Sequence, residues 1–430
     1  MGRLIRIQGS EWGRTLNLKL TIVRVCGGTL FLSSLALASP AHAGAFQVRT
    51  QSAEGFGTAI AGVAAGSALS FSYWNPAALS NIDGIQIEGV ANGVFPSIHL
   101  DPGAGGSVGI GKNALVPASY IALPVNDRMT FGLSITSPFG LATKTPTNWA
   151  GQIYGRDSEI FSVNVNPMLS YRINDMVSVG AGVQVQYFKA KLSQATGIFP
   201  DAPSATLKAD GLGVGFNLGM QLKPWAGGTV GIGYRSAISE DLGGDLSMFG
   251  MSMPAKATLK TPQLVSFGVR QEMTDRFRLM GTVEWTNWSS INIVPIYGVG
   301  TGAQLTTLPL RYRDGWLFSV GGEFDIDKQL TARAGIGYEI APVSDLSRDV
   351  RLPEPNQLIL SAGLSYRYTE RMTFDLAVTQ SLGLGSGPVT IGPGDPRYLG
   401  LPFSATSDLN VTIVSAGLKI KLDGVSLASR

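Results

Sequence analysis

From residue 85 onward, apolar and polar residues alternate with a period of two in one segment after another. In residues 176–188, Val177, Val179, Ala181, Val183, Val185 and Tyr187 alternate with Ser178, Gly180, Gly182, Gln184 and Gln186. In residues 330–339, Leu330, Ala332, Ala334, Ile336 and Tyr338 alternate with Thr331, Arg333, Gly335, Gly337 and Glu339. Such segments are strands with one apolar and one polar face. A soluble sandwich would bury the apolar face in a core. A membrane barrel would turn it to lipid and line its interior with the polar one. The connections discriminate. Short polar links at residues 125–128, 173–175, 223–225, 273–276, 326–328 and 368–371 alternate with long irregular stretches, the asymmetry of periplasmic turns and extracellular loops. Propeller blades are excluded, because each interval holds two strands and one loop rather than four short strands. The windows lie near residues 85–95, 114–124, 129–138, 158–173, 176–190, 207–222, 228–239, 256–271, 276–287, 311–325, 329–340, 356–368, 371–380 and 409–422. The predicted fold is an all-β membrane protein, a 14-stranded antiparallel transmembrane β-barrel with both ends periplasmic.

Residues 44–83 do not share this pattern. Ala, Gly and Ser dominate, with Phe46, Phe56, Phe71, Tyr73 and Trp74 scattered among them. Such a stretch has no core of its own, and its aromatics and near absence of charge argue against disorder. It is expected to pack inside the barrel as a plug. Asn75-Pro76-Ala77 closes it, since Pro76 restricts Asn75 to an extended or turn conformation whose amide can bond nearby backbone.

Residues 1–43 read as a secretory leader. Basic residues run to Arg24, the apolar GGTLFLSSLALA follows, and Ala41-His42-Ala43 places small residues before the cut. The apolar core is too short to span a membrane, and no later stretch approaches the roughly 18 apolar residues of a helical span. The expected division is therefore leader 1–43, N-terminal plug 44–83 and barrel 84–430. The single cysteine, Cys26, lies in the leader, leaving the mature chain without a thiol. The net charge of +3 includes five leader cations, so the remainder is close to neutral, with no basic run suited to nucleic acid.

The GAFQ start after the cleavage site, the Gly/Ala-rich stretch and NPAALS leading into the first strand resemble the FadL family of outer-membrane transporters of long-chain fatty acids and other hydrophobic compounds. The resemblance continues in order through SPFG, NWAGQIYGRDSE, VNPMLSYRI, LKADGLGVGFNLG, WTNWSSI, RDGWLFSVGGEF, ARAGIGYEIAPVSD and VRLPEPNQ. It implies fourteen strands and a hatch formed by residues 44–83, with Asn75, Pro76 and Ala77 where hatch meets wall and Gly44, Phe46 and Gln47 at its N-terminus. It also implies a hydrophobic ligand, a Gram-negative outer-membrane location, surrounding lipid and lipopolysaccharide, an outer-membrane assembly machinery and a monomeric chain. The last strand departs from the pattern, since DGVSLASR follows it where an aromatic terminus is common.

Two expected loops carry apolar groups that must meet each other or a ligand. One holds Ile198 and Phe199, the other Met248, Phe249, Met251 and Met253; the resemblance implies ligand capture there. Strand three carries Gly132 and ends at Pro138, either an ordinary strand end or, as the resemblance implies, a kink opening the wall sideways. Parity turns Arg235 and Arg313 inward, where either would anchor a carboxylate or pair with an acid such as Glu284 or Glu323. Enzymatic chemistry lacks its inventory: His99 is the one histidine outside the leader and is expected in a loop, no Cys remains, and no carboxylates stand at metal-ligand spacing. No metal, cofactor or catalytic residue is expected. A structural or adhesive barrel that binds surface partners through its loops is the alternative to a transporter.

Overall fold

A computed structural model describes residues 44–103 and 106–422. The predicted leader and the non-aromatic tail after Leu422 lie outside the described residues. Fourteen antiparallel strands run in order around a closed barrel: β1 (Ile85–Asp101), β2 (Ala114–Asn126), β3 (Met129–Thr136 and Gly140–Lys144), β4 (Asp157–Arg172), β5 (Val177–Ala195), β6 (Ser204–Trp225), β7 (Gly228–Arg235 and Ile238–Met248), β8 (Met251–Thr261 and Leu264–Glu272), β9 (Phe277–Thr286 and Ile293–Gly298), β10 (Gln304–Pro309 and Gly315–Asp325), β11 (Leu330–Ile340), β12 (Gln357–Thr369), β13 (Met372–Gly383) and β14 (Phe403–Leu422). The ladder closes between β1 and β14, from Ile85↔Leu422 to Asp101↔Thr406. No strand edge is left along this seam, as a lipid-embedded sheet requires.

The alternation determines which face each side chain takes. On β6, Leu212, Val214, Phe216 and Leu218 point outward and are exposed on the protein surface, where lipid would cover them. Gly213, Gly215, Asn217 and Gly219 face the interior. Farther along the same strands the assignment reverses. Glu159, Lys189, Lys208, Asp210, Asp241, Lys256 and Lys260 are the outward residues there. Leu207, Ala209, Leu242, Ala255 and Leu259 face inward. This outer part has a water-facing exterior and an apolar interior.

Strand ends differ from the sequence expectation in this same region. The segment holding Met248, Phe249, Met251 and Met253 was expected as a loop. It is instead the tip of a β7–β8 hairpin, with Met248 paired to Met251 and a two-residue turn at Phe249-Gly250. Both turn residues take positive φ, +51° and +76°, the conformation that tight hairpins favour. Likewise β5 and β6 stay paired out to Ala195↔Ser204, and His99, expected in a loop, lies exposed within β1 opposite Gly109 and Asp408. The strands outrun the lipid because their outer halves still have an apolar face to bury.

Residues 44–82 are nearly all buried and bond to strands right round the barrel. A short helix (Ala53–Phe56) and two 3-10 turns (Leu69–Tyr73 and Pro76–Asn81) are their regular structure. Gly62 N–H donates to Thr282 Oγ1 on β9, Thr379 Oγ1 on β13 donates to the Phe56 carbonyl, and Asn75 Nδ2 donates to the Met220 carbonyl on β6. The wall receives this segment at glycines. A Cβ on Gly219 would stand 1.9 Å from Asn75 Oδ1, and one on Gly233 would stand 1.8 Å from the Trp74 carbonyl oxygen. Charge holds it too. Glu54 meets Arg333 at 3.6 Å and pairs with Lys419, which reaches Asp375 at 3.0 Å. Arg49 binds Glu284 at 2.7 Å and Glu339 at 2.5 Å.

Candidate functional site

Where the inward face turns apolar, the strands surround a cavity of about 80 Å³. Period-two rows supply its wall: Ala190 and Leu192 on β5, Leu207 and Ala209 on β6, Ala255, Ala257 and Leu259 on β8, Val294 and Ile296 on β9, Leu308 on β10. Its lining matches a site for an apolar small molecule. Phe46 forms part of the wall and sits at the centre of an aromatic cluster, edge-on to Trp288 at 4.7 Å, Phe139 at 5.9 Å and Phe188 at 6.3 Å.

Arg351, from the connection between β11 and β12, reaches the same cavity beside Asp349. Its hydrogen bonds go to neutral acceptors: Ser158 Oγ at 3.0 Å, Gln194 Oε1 at 3.3 Å and the Asp157 carbonyl at 3.4 Å. Burial pulls the guanidinium below its usual pKa, and Asp349 and Asp157 offset this only in part. A partly buried cation left in this state favours an added anion. The arrangement is an apolar chamber with a single guanidinium in its wall.

Behind Phe46 the wall of the barrel is interrupted. The β2–β3 ladder ends at Ser119↔Ile135. The β3–β4 ladder stops at Thr136↔Asn164 and resumes at Gly140↔Phe161. Pro138, without an N–H, lies in the break. Residues 46–48 occupy the vacant edge. Gly140 N–H donates to the Phe46 carbonyl and Val48 N–H to the Pro138 carbonyl, both at 2.8 Å, with Gln47 opposite Phe139. Gln51 Nε2 adds a bond to the Ser137 carbonyl at 3.0 Å. On the inner side of this short strand lies a smaller polar cavity of about 20 Å³, lined by Gln47, Tyr73, Pro138, Phe139 and Arg235 among others. Phe46 and Phe139 therefore stand between an apolar chamber and a polar one.

The predicted site residues fall at several places. Asn75 is wholly buried, accepts from Ala77 N–H at 3.0 Å and donates to the Ala64 carbonyl at 2.6 Å. Pro76 opens the following 3-10 turn. Gly44 N–H donates to Glu354 Oε1 at 2.9 Å. Gly132 lies in an unbroken part of β3, where a Cβ would meet Leu79 of the N-terminal segment at 2.5 Å, whereas Pro138 is at the break. Arg235 lines the smaller cavity, stacks 4.2 Å over Tyr73 and bonds Gln184 and the Tyr73 carbonyl. Arg313 sits in the interruption of β10 and donates to the Ala341 carbonyl at 3.0 Å. Neither arginine lines the apolar chamber, and neither pairs with Glu284 or Glu323; Glu284 binds Arg49, and Glu323 binds Arg278 and Arg333. Ile198, Phe199, Phe249, Met251 and Met253 are exposed at the outer tips, outside the chamber. Arg351, Phe139 and Trp288 were not singled out from sequence. The switch of the inward face from Ser, Asn and Gln to Ala and Leu in residues 205–209 and 255–259 was the available signal for the chamber.

A family model described as "Outer membrane protein transport protein (OMPP1/FadL/TodX)" matches residues 34–416. A long-chain fatty acid transport protein of Escherichia coli O6:H1 is 27% identical over 83% of this chain and 92% of its own length. A 47 kDa outer membrane protein of Pasteurella multocida is 28% identical over 81% and 89%. Among solved structures, a Pseudomonas aeruginosa FadL homologue superposes with a TM-score of 0.80 at 25% identity, covering 88% of this chain and 99% of that one. The P. putida toluene transporter TodX shares the fold, with a TM-score of 0.65 at 17% identity over 86% and 99%.

Proposed function

Since this chain belongs to the OMPP1/FadL/TodX family of outer-membrane transport proteins, we propose that it takes up amphipathic monocarboxylates of the long-chain fatty acid class through the chamber next to Phe46. The observation that carries the reading is the pairing of an apolar chamber with one guanidinium that lacks an ion-pair partner among the described residues, Arg351. A plain hydrocarbon would need no such group, while an alkyl chain with a carboxylate head uses both the walls and the charge.

The path follows from the contacts. Exposed Ile198, Phe199, Phe249, Met251 and Met253 give an incoming chain its first apolar surface. The chamber then takes it out of water. Residues 44–83 act as the hatch, anchored at Asn75-Pro76-Ala77, while residues 44–48 are the part that moves. Withdrawal of Phe46–Val48 from the edge of β3 joins the chamber to the break at Ser137–Phe139, and the ligand leaves sideways into the bilayer. Every group on this path comes from one chain, so a monomer suffices. Uptake of labelled oleate and of labelled toluene by cells lacking their own transporter, complemented with this chain, tests the reading. Oleate uptake that Arg351→Ala reduces supports it. Toluene uptake alone indicates a hydrocarbon channel, and no uptake of either indicates an adhesive or structural barrel.

A further inference from the structure

The N-terminal end of the plug strand lies among acidic groups. Glu354, wholly buried, accepts Gly44 N–H at 2.9 Å on one oxygen and Ala45 N–H at 2.7 Å on the other, and takes a further bond from Gln357 Nε2 at 2.5 Å. Glu339, also wholly buried, accepts from Arg49 through Oε1, while its Oε2 has no hydrogen-bond partner. Glu284 takes Arg49 Nε and Trp74 Nε1. Gly44 is wedged among these groups. A Cβ there would stand 2.6 Å from Glu339 Oε1 and 2.9 Å from Arg49 Nη1, and φ is +79°. Space therefore favours glycine at this position, since a Cβ would press on both side chains. Among the described residues, three buried carboxylates thus face the guanidinium of Arg49, and one carboxylate oxygen accepts no hydrogen bond. Ionised carboxylates are not buried without compensating cations. What would complete the cluster is a compact cation with several N–H donors, placed at the Gly44 nitrogen.

The leader offers that cation. Ala41-His42-Ala43 directs a cut immediately before Gly44, and the cut turns the Gly44 amide into an α-ammonium with three donors. We propose that Glu354 and Glu339 form a receptor for the α-ammonium of the chain itself. Removal of the leader supplies the second cation of the cluster, and the resulting ion pair holds residues 46–48 in the break of β3. Seating of the plug strand is thereby coupled to processing, since a chain that begins one residue earlier presents an amide at Gly44 and displaces its charge. This inference does not depend on what the chamber carries, and its test uses no transport measurement.

The full chain purified from outer membranes is used throughout. Intact mass should place the N-terminus at Gly44, and any other start overturns the proposal. The apparent pKa of the α-amine is then read from the pH profile of its acylation by an amine-reactive ester. Pairing should hold it above the ordinary range of about 7.7–8.0, and Glu354→Gln should lower it, because one of the two carboxylates is lost while burial remains. An α-amine pKa unchanged by E354Q overturns the pairing. A second variant, with one alanine inserted between Ala43 and Gly44 and Glu354 intact, serves if E354Q fails to assemble. Trypsin should cut after Arg49 at least tenfold faster in it than in the native chain. Equal resistance overturns the holding role.

Discussion

Arg351 and Glu354 stand three residues apart in one connection and carry opposite problems. Arg351 is a partly buried cation whose hydrogen bonds go to neutral acceptors. Its replacement by Ala removes a charge-assisted bond to a bound carboxylate, worth about 1.5–3 kcal/mol. Oleate should bind roughly 10- to 100-fold more weakly, while the affinity of an uncharged alkane of equal length stays within about twofold; calorimetry on detergent-purified protein measures both. Glu354 is a buried anion. Where the Gly44 nitrogen is an amide, burial and the neighbouring Glu339 push its carboxyl up to about 8, against the opposing N–H groups of Gly44 and Ala45. The docked state then binds more protons than the released state between the ordinary value of 4.5 and about 8. In an N-terminally extended chain, docking should weaken as pH rises through that window. Glu54 has the opposite sign. Burial would raise it, but Lys419 and Arg333 hold it at about 2, so its contribution is present above 4.5 and fades as pH falls toward 2. Proteolytic release of the N-terminal segment, followed with pepsin at acid pH and with trypsin near neutrality, separates the two slopes. The inward position of Arg235 was legible from parity. Arg351 was not, because it lies in a connection where neither period nor spacing fixes the direction of a side chain.

At the scale of elements, the short plug strand at Phe46–Val48 and the broken β3 form one antiparallel unit drawn from opposite ends of a 90-residue stretch. Gln47 and Phe139 face each other across it, at a separation of Cα atoms that suits a disulfide. Cys26 is the one native cysteine, so once the expected leader is cut away the double variant Gln47→Cys, Phe139→Cys has no competing thiol. Its oxidised form should show uptake reduced at least tenfold, restored by reductant; normal uptake with the crosslink complete would mean residues 46–48 do not gate the path. Gly219→Ala tests the anchored end. Its Cβ would stand 1.9 Å from Asn75 Oδ1, so Asn75 must move and give up bonds worth about 0.5–1.5 kcal/mol each. The expected outcome is faster proteolysis of residues 44–83 with an intact barrel. Strand number and order were readable because alternation survives in every strand. Strand ends were not, since residues such as Phe249 and Met251 look like loop residues until both partners of a hairpin are seen together. The break in β3 was half legible: Pro138 marked an end, while the residues that fill the gap come from a segment with no pattern of its own.

For the whole molecule, the closed ladder from Ile85↔Leu422 to Asp101↔Thr406 makes unfolding a matter of opening a ring. An unheated sample in mild detergent should migrate faster on a denaturing gel than a boiled one, and its far-ultraviolet spectrum should show strand with little helix. The reversal of faces along the strands has a further consequence. Within the bilayer the protein is oily outside and wet inside; beyond it, the order is inverted, and an enclosed droplet of hydrocarbon character is raised above the membrane on a hydrophilic collar. On the proposed path, a fatty chain held there would already be in a solvent like the one it is to enter, separated from it by Phe46 and Phe139 rather than by water. Passage would then be a transfer between two liquids of similar solvency through a valve, and the direction of net flow would be set by how fast the membrane side is depleted.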